Sequence, residues 1–72
     1  MALSPRERKA ALVLKGIKQA DIARRLGVAP THVSDVVYGR RRSLRVETAI
    51  AEALGRPAVE VFPNAAEGVV PA

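Results

Sequence analysis

The 72-residue sequence has no cysteine and no tryptophan, and it contains one histidine, one tyrosine and one phenylalanine. Without cysteine the chain forms neither a disulfide nor a thiolate zinc site, and one histidine alone does not hold a metal ion. The core must therefore be built mainly from Ala, Val, Leu and Ile. We expect one small domain that depends on this apolar core, with no metal and no cofactor.

Long apolar segments and catalytic groupings are also missing. The apolar run near the N-terminus covers only residues 10–14, whereas a membrane span needs about 20 residues and a signal peptide roughly 7–15. We therefore expect a cytoplasmic protein without a membrane partner. The sequence has no Gly-rich phosphate loop, and His32, Ser34 and Asp35 would diverge as neighbours on one helix. These observations predict that the protein is not an enzyme.

Positive charge is in excess. Twelve Lys and Arg face seven Asp and Glu, which gives a net charge of +5. All the cations lie between Arg6 and Arg56, and residues 57–72 carry only Glu60 and Glu67. Such a field attracts polyanions such as DNA, RNA or an acidic membrane. A solvated basic surface without a partner is the alternative interpretation.

Glycines divide the chain into short helical segments. Ser4-Pro5-Arg6-Glu7 has the pattern of a capping box, which predicts a helix that ends before Gly16. Further helices are predicted at about 19–26 and 30–38, from about Ser43 or Arg45 to Leu54, and as a last turn or two within 57–62. No strand pattern competes. Residues 1–63 should form the domain, and residues 64–72 a flexible tail.

The predicted core follows from the helical periodicity of the apolar residues. They are Ile22, Ala23, Leu26, Val28, Val33, Val36, Val37, Val46, Ile50, Ala53, Leu54, Val61 and Phe62. Within residues 19–38, two short helices meet at Gly27, a residue free to take positive φ, and Ala23 is small enough for close packing at their crossing. This layout predicts a helix-turn-helix unit, whose second helix enters the major groove of DNA.

The stretch QADIARRLGVAPTHVSDVVYGRR resembles the Cro and lambda-repressor-like group, also called the XRE family. The later stretch ETAIAEALGRPAVEVFP is similar to the C-terminal part of the Ner-like phage regulators. The resemblance covers roughly residues 4 to 63 and implies a compact all-α domain of four to five helices. The sequence departs from the family pattern at Lys18 and Ala29, where Ser or Thr is common. Two helix caps of about 1 kcal/mol each are therefore missing, and Lys18 at a helix N-terminus suggests a bound anion there.

The resemblance implies base contacts from the start and middle of the recognition helix, which correspond here to Thr31, His32, Ser34 and Asp35. Thr31, Ser34, Asp35 and Tyr38 also share one outward stripe at helical spacing. Thr and Ser can bond either base, and Asp35 would accept a hydrogen bond from cytosine N4. Four alternatives stay open: Thr31 as merely a first-turn residue, His32 on phosphate or in solvent, Ser34 bonded to its own helix, and Asp35 paired with a neighbouring arginine, for example Arg24 or Arg25.

Phosphate contacts are expected on both sides of the recognition helix. The candidates are Lys18, Gln19, Tyr38, Arg40, Arg41 and Arg42. For Tyr38, packing at the edge of the core is the alternative, and for the three arginines it is a solvated loop. Arg24 and Arg25 could serve either the DNA or the fold.

The functional hypothesis is a sequence-specific regulator of a phage or mobile element that binds double-stranded DNA and represses by occluding a promoter. Because one module offers few base contacts, two copies are expected, with half-sites about one helical turn apart. Whether this homodimer forms before DNA binds is left open. The alternatives are a protein-interaction module, such as an antitoxin-like adaptor or a polymerase-binding activator, and a non-specific nucleic-acid binder.

Overall fold

The computed structural model describes residues 2–63 and contains five helices and no strand over this range. The helices are α1 (Pro5–Leu14), α2 (Gln19–Leu26), α3 (Pro30–Val37), α4 (Leu44–Leu54) and α5 (Ala58–Val61). The all-α prediction is confirmed. The predicted tail, residues 64–72, lies outside the described residues. Within residues 2–63, every helix is too short or too polar to cross a bilayer.

The start of α1 is the predicted capping box. The Ser4 hydroxyl accepts a hydrogen bond from the Glu7 backbone at 3.2 Å, and the Ser4 backbone donates to Glu7 Oε1 at 2.7 Å. These bonds satisfy two donors that a helix N-terminus otherwise leaves open. The bond from the Ser4 backbone, with that from its side chain, lowers the pKa of Glu7. The first helix therefore begins where the sequence predicted.

The turn between α2 and α3 depends on Gly27, which has φ +71°. A Cβ placed there would meet no atom within 4 Å, so the requirement is conformational and not steric. Val28 then donates its backbone N–H to Ala23 O at 3.0 Å, which closes the end of α2. Ala23 is only 1% exposed, and α2 packs more extensively on α3 than on any other described helix.

Ten of the thirteen predicted core residues are buried, and Leu26 and Val28 are half-buried but pack against the core. The assignment of Ala53 on α4 is wrong. Ala53 is only half-buried, and Ala51 is buried in its place. The inward face of α4 passes through Glu47, Ile50, Ala51 and Leu54, at positions i, i+3, i+4 and i+7. Ala53 falls at the edge of this stripe, where its small side chain only partly reaches the core.

The apolar stretch at the end of α1 contributes little to the core. Leu12 is buried, but Val13 and Leu14 are 66% and 86% exposed. The inward face of α1 is completed one turn earlier by Arg8, which lies four residues before Leu12 and is only 3% exposed. A charged side chain therefore occupies a core position of the first helix.

Arg8 donates hydrogen bonds to three parts of the backbone. Its Nε bonds Val37 O at 2.7 Å, and its Nη1 bonds Leu3 O at 2.8 Å and Val61 O at 3.0 Å. Its guanidinium also lies 4.6 Å from the centroid of the Phe62 ring. One side chain thus joins the N-terminal segment, the end of α3 and α5 to α1.

Glu47, only 1% exposed, carries the negative charge that acts on the Arg8 guanidinium. It accepts hydrogen bonds from Arg42 Nε at 2.8 Å and from the Ser43 backbone at 3.3 Å, both on Oε2. Burial lowers the pKa of Arg8, and the charge of Glu47 acts in the opposite direction. The loop before α4 is therefore tied to the core by a buried carboxylate.

Arg8→Met should lower the free energy of unfolding by about 3–5 kcal/mol, because it leaves buried carbonyls without donors and removes one of the two cations near the buried Glu47. A 72-residue domain has a total stability of only about 4–11 kcal/mol. Urea denaturation followed by circular dichroism measures the change. Arg6→Met is the matched control on the exposed side of α1, and it should stay within about 0.5 kcal/mol of wild type. A similarly small effect of Arg8→Met would contradict the conclusion that Arg8 holds these backbone segments together.

The helix caps give a second stability prediction. Ser43 caps α4 through a hydrogen bond from Val46 N, whereas Ala29 at the start of α3 has no side-chain cap. Ala29→Ser should add about 1 kcal/mol of stability, and Ser43→Ala should remove about 1 kcal/mol. In thermal unfolding each change should move the melting temperature by roughly 4–8 °C, in opposite directions. Destabilisation by Ala29→Ser would mean that its hydroxyl does not reach the open N–H groups.

Candidate nucleic-acid interface

α3 presents its valines to the core and its polar residues to the outside. Val33, Val36 and Val37 are buried, with exposures of at most 1%. Thr31 is exposed, and Ser34 and Asp35 are half-buried. Because the polar side chains lie opposite the core, they remain accessible to a partner placed along α3. The structure leaves their contact with bases a prediction.

His32 lies differently from Thr31. It is half-buried, and its Nε2 is shielded from solvent without a hydrogen-bond partner among the described residues. That nitrogen is therefore not presented on the surface of α3. Base contact by His32 also remains a prediction, and Thr31 is the more open of the two side chains.

The ion pair made by Asp35 is with a neighbouring arginine, as the alternative to base contact predicted, but the arginine is neither of the two examples named from the sequence. Its Oδ1 lies 3.6 Å from Arg40 Nε, not against Arg24 or Arg25. Arg24 instead pairs with Asp21 on its own helix, at 3.2 Å. The reason is the turn after α3, in which Arg40 donates its backbone N–H to Asp35 O at 2.8 Å. This return of the chain places Arg40 beside the carboxylate.

Tyr38 lies between two cations. Arg40 Cζ is 5.1 Å from the centroid of its ring, and Lys9 Nζ is 5.7 Å away. Its side chain is half-buried, so it both packs at the edge of the core and remains accessible. A side-chain hydrogen bond with Tyr38 raises the pKa of Lys9. Lys9 was missed in the sequence because no local pattern shows that α1 passes beside the end of α3.

A surface groove of about 420 Å³ brings several predicted residues together. Lys18, Gln19, Ser34 and Tyr38 line it, and Lys9 lies on its α1 side. Lys18 is the N-cap residue of α2 and makes no side-chain cap, as the sequence predicted. Side chains from α1, α2 and α3 therefore converge on one basic groove beside the polar face of α3.

The three loop arginines do not have equivalent surroundings. Arg40 and Arg41 are exposed, and Arg40 contacts Asp35 and Tyr38 as described. Arg42 is held by the buried Glu47 at 2.8 Å. Arg40 and Arg41 are therefore presented at the surface, whereas Arg42 also anchors the loop to α4.

Comparison with known proteins identifies the family. The sequence profile of the family described as winged helix-turn-helix DNA-binding matches residues 3–65, which is most of the 72-residue chain. The chain belongs to this helix-turn-helix DNA-binding family. Over residues 2–63 this member has no strand, and hence no β-wing in that range. No curated protein and no solved structure matches the sequence significantly.

In this helix-turn-helix domain, an arginine on α4 forms a hydrogen bond with the end of α2, the first helix of the motif. Arg45 on α4 donates from Nη2 to Leu26 O at the end of α2, at 2.7 Å. A cation at this position also compensates the negative end of the helix dipole. The sequence identified Arg45 only as a candidate helix cap, because its partner is 19 residues away.

Arg41→Ala and Arg42→Ala each remove one positive charge, but only Arg42→Ala should also destabilise the fold. Arg42→Ala removes a charge-assisted hydrogen bond to a buried carboxylate, so it should lower the free energy of unfolding by about 2 kcal/mol. Arg41→Ala should change stability by less than about 0.5 kcal/mol. Urea denaturation of both variants measures the difference, and each variant serves as the other's charge-matched control. Equal stabilities would mean that the contact with Glu47 contributes nothing.

Proposed function

We propose that the protein is a sequence-specific transcription regulator of the Cro and lambda-repressor-like type, similar to the Ner-like phage regulators in its C-terminal part. The observation that carries the proposal is the exposed polar face of α3, with Thr31 foremost, flanked by cations on both sides. Base reading needs hydrogen-bonding side chains on an accessible helix, and backbone binding needs Lys and Arg around it.

The distribution of carboxylates supports the placement of α2 and α3 against the DNA. Glu7 caps its own helix, Glu47 is buried, and Asp21 and Asp35 are paired with arginines. The other acidic residues among the described ones, Glu52 and Glu60, lie on α4 and α5. Unpaired acidic charge is thus kept away from α2 and α3, where the phosphates would approach.

The contacts divide into two groups. Thr31, His32, Ser34 and Asp35 would read base edges in the major groove, with Asp35 accepting from cytosine N4. The residues proposed to hold phosphates are Lys18, Gln19, Tyr38, Arg40, Arg41 and Arg42. The first group would determine which sequence is bound, and the second would supply most of the affinity and its dependence on salt.

Repression would follow from occupation of a promoter. α3 has eight residues, about 12 Å of helix, so one copy can read only a few base pairs. We therefore propose that two copies bind half-sites about one helical turn apart, as a homodimer at least on the DNA. A pair of this kind would cover a promoter element and exclude the polymerase, as expected of a phage or mobile-element switch.

The test begins with selection of bound duplexes from a random pool. Thr31→Ala and Ser34→Ala should each reduce the preference for the selected sequence over a scrambled one by up to about tenfold, which corresponds to a discrimination of about 1.4 kcal/mol. Arg40→Ala should instead weaken binding to both duplexes and reduce the salt slope by about 0.9. Fluorescence anisotropy at two salt concentrations measures both effects.

Two control variants test whether these effects are local to the interface. Thr48→Ala on the exposed side of α4 and Arg56→Ala after α4 should leave affinity and preference unchanged. Selection that enriches no sequence, or unchanged preference in Thr31→Ala and Ser34→Ala, would indicate non-specific binding and contradict the proposal.

A further inference from the structure

The groove beside α3 extends the basic surface onto α1, outside the helix-turn-helix unit. Lys9 from α1 and Lys18 from the start of α2 line it together with Ser34 and Tyr38 of the α3 segment. Gln19 also lines the groove, and none of its lining residues is acidic. Its remaining lining residues, Leu12, Val13 and Ile17, are apolar. The polar part of the groove combines two ammonium groups with hydroxyl and amide donors, which are groups that bind a phosphate diester.

Lys9 is held in place by Tyr38 and not by a carboxylate. It is exposed, its Nζ lies 5.7 Å from the centroid of the Tyr38 ring, and it makes no ion pair with the described carboxylates. A cation–π contact orients the ammonium group without neutralising its charge. Lys9 therefore retains its positive charge for an external anion.

The position of Tyr38 links this cation to the recognition helix. Tyr38 caps the end of α3, and Ser34 lies one turn earlier on the same helix. The Tyr38 backbone N–H donates to Ser34 O at 3.0 Å. If α3 lies in the major groove, Lys9 lies beside the last turn of α3, where the sugar-phosphate backbone borders the groove.

We propose that Lys9, oriented by the ring of Tyr38, contacts a DNA phosphate and extends the footprint of the domain to α1. The inference rests on the proposed DNA-binding function and adds a backbone contact to it. The contact positions the domain along the duplex and carries no sequence preference, because an ammonium group on a phosphate does not distinguish bases.

The experiment compares Lys9→Ala with Lys15→Ala on the selected and scrambled duplexes. Both variants remove one lysine from the α1 region, but Lys15 Nζ lies near Gly55 at the end of α4, about 4.0 Å from where a Cβ would stand there. Lys9→Ala should weaken binding to both duplexes severalfold and lower the salt slope by about 0.9, whereas Lys15→Ala should leave the slope unchanged. Lys9→Arg should restore the slope, because it restores the charge.

A double-mutant cycle tests the role of the ring. Tyr38→Leu removes the cation–π contact, so the loss caused by Lys9→Ala should be smaller in Tyr38→Leu than in wild type. Circular dichroism of each variant at the assay temperature checks that it is folded, and Tyr38→Phe, which keeps the ring, serves if Tyr38→Leu unfolds. In that case the loss caused by Lys9→Ala should keep most of its size in Tyr38→Phe, which removes only the hydroxyl, and a loss that disappears there would assign the orientation of Lys9 to the hydroxyl and overturn the role of the ring.

The outcomes distinguish failure of the Lys9 contact from failure of the proposed DNA-binding function on which it rests. Specific binding by wild type with equal salt slopes for Lys9→Ala and Lys15→Ala overturns the Lys9 contact alone. Additive losses in the cycle with Tyr38→Leu overturn the joint role of Lys9 and Tyr38. Failure of wild type to enrich any duplex overturns the proposed function, and the Lys9 contact with it.

Discussion

The orientation of the recognition helix depends on one buried guanidinium. Arg8 bonds the carbonyl of Val37, the last residue of α3, and two further carbonyls in Leu3 and Val61. Hydrogen bonds are directional, whereas contacts among small aliphatic side chains permit some sliding. The valine face of α3 determines which side points inward, and Arg8 determines where its C-terminal end lies. The loop that follows is positioned from the same region, because Glu47 holds Arg42 and the Ser43 backbone.

Local signals in the sequence predicted most of the fold. The capping box at Ser4, the positive φ of Gly27 and the valine spacing on α3 each act within a few residues, so the residues themselves contain the information. Buried Arg8 and Glu47 could not be predicted, because a lone charged residue in a helix is ordinarily placed outside. Their partners lie 29 and 53 residues away for Arg8, and across a loop for Glu47. Only the tertiary fold shows that these partners exist.

The candidate site also has a part that local sequence signals predicted and a part that depends on the tertiary fold. The polar stripe of α3 and the basic loop could be predicted, because each is one continuous segment. An arginine partner for Asp35 was predicted as an alternative, but that partner is Arg40 and not Arg24 or Arg25, since the turn after Tyr38 brings Arg40 back onto α3. Lys9 was missed because its relation to Tyr38 joins two helices that are distant in sequence. Residue types and helical spacing thus identify the recognition element, whereas the neighbours that orient its side chains depend on packing.

The uneven capping of the helices agrees with the proposed interface. Ser4 and Ser43 cap α1 and α4, whereas Lys18 and Ala29 leave the N-termini of α2 and α3 without side-chain caps. Each missing cap costs about 1 kcal/mol in the free domain. Short α5, which begins after Pro57, has no side-chain cap either, but α2 and α3 are the two helices of the helix-turn-helix, and a phosphate oxygen can accept from their open N–H groups. Stability that α1 and α4 obtain from their own serines would, for α2 and α3, come in part from the DNA. Binding would therefore stabilise the recognition unit more than the helices that support it.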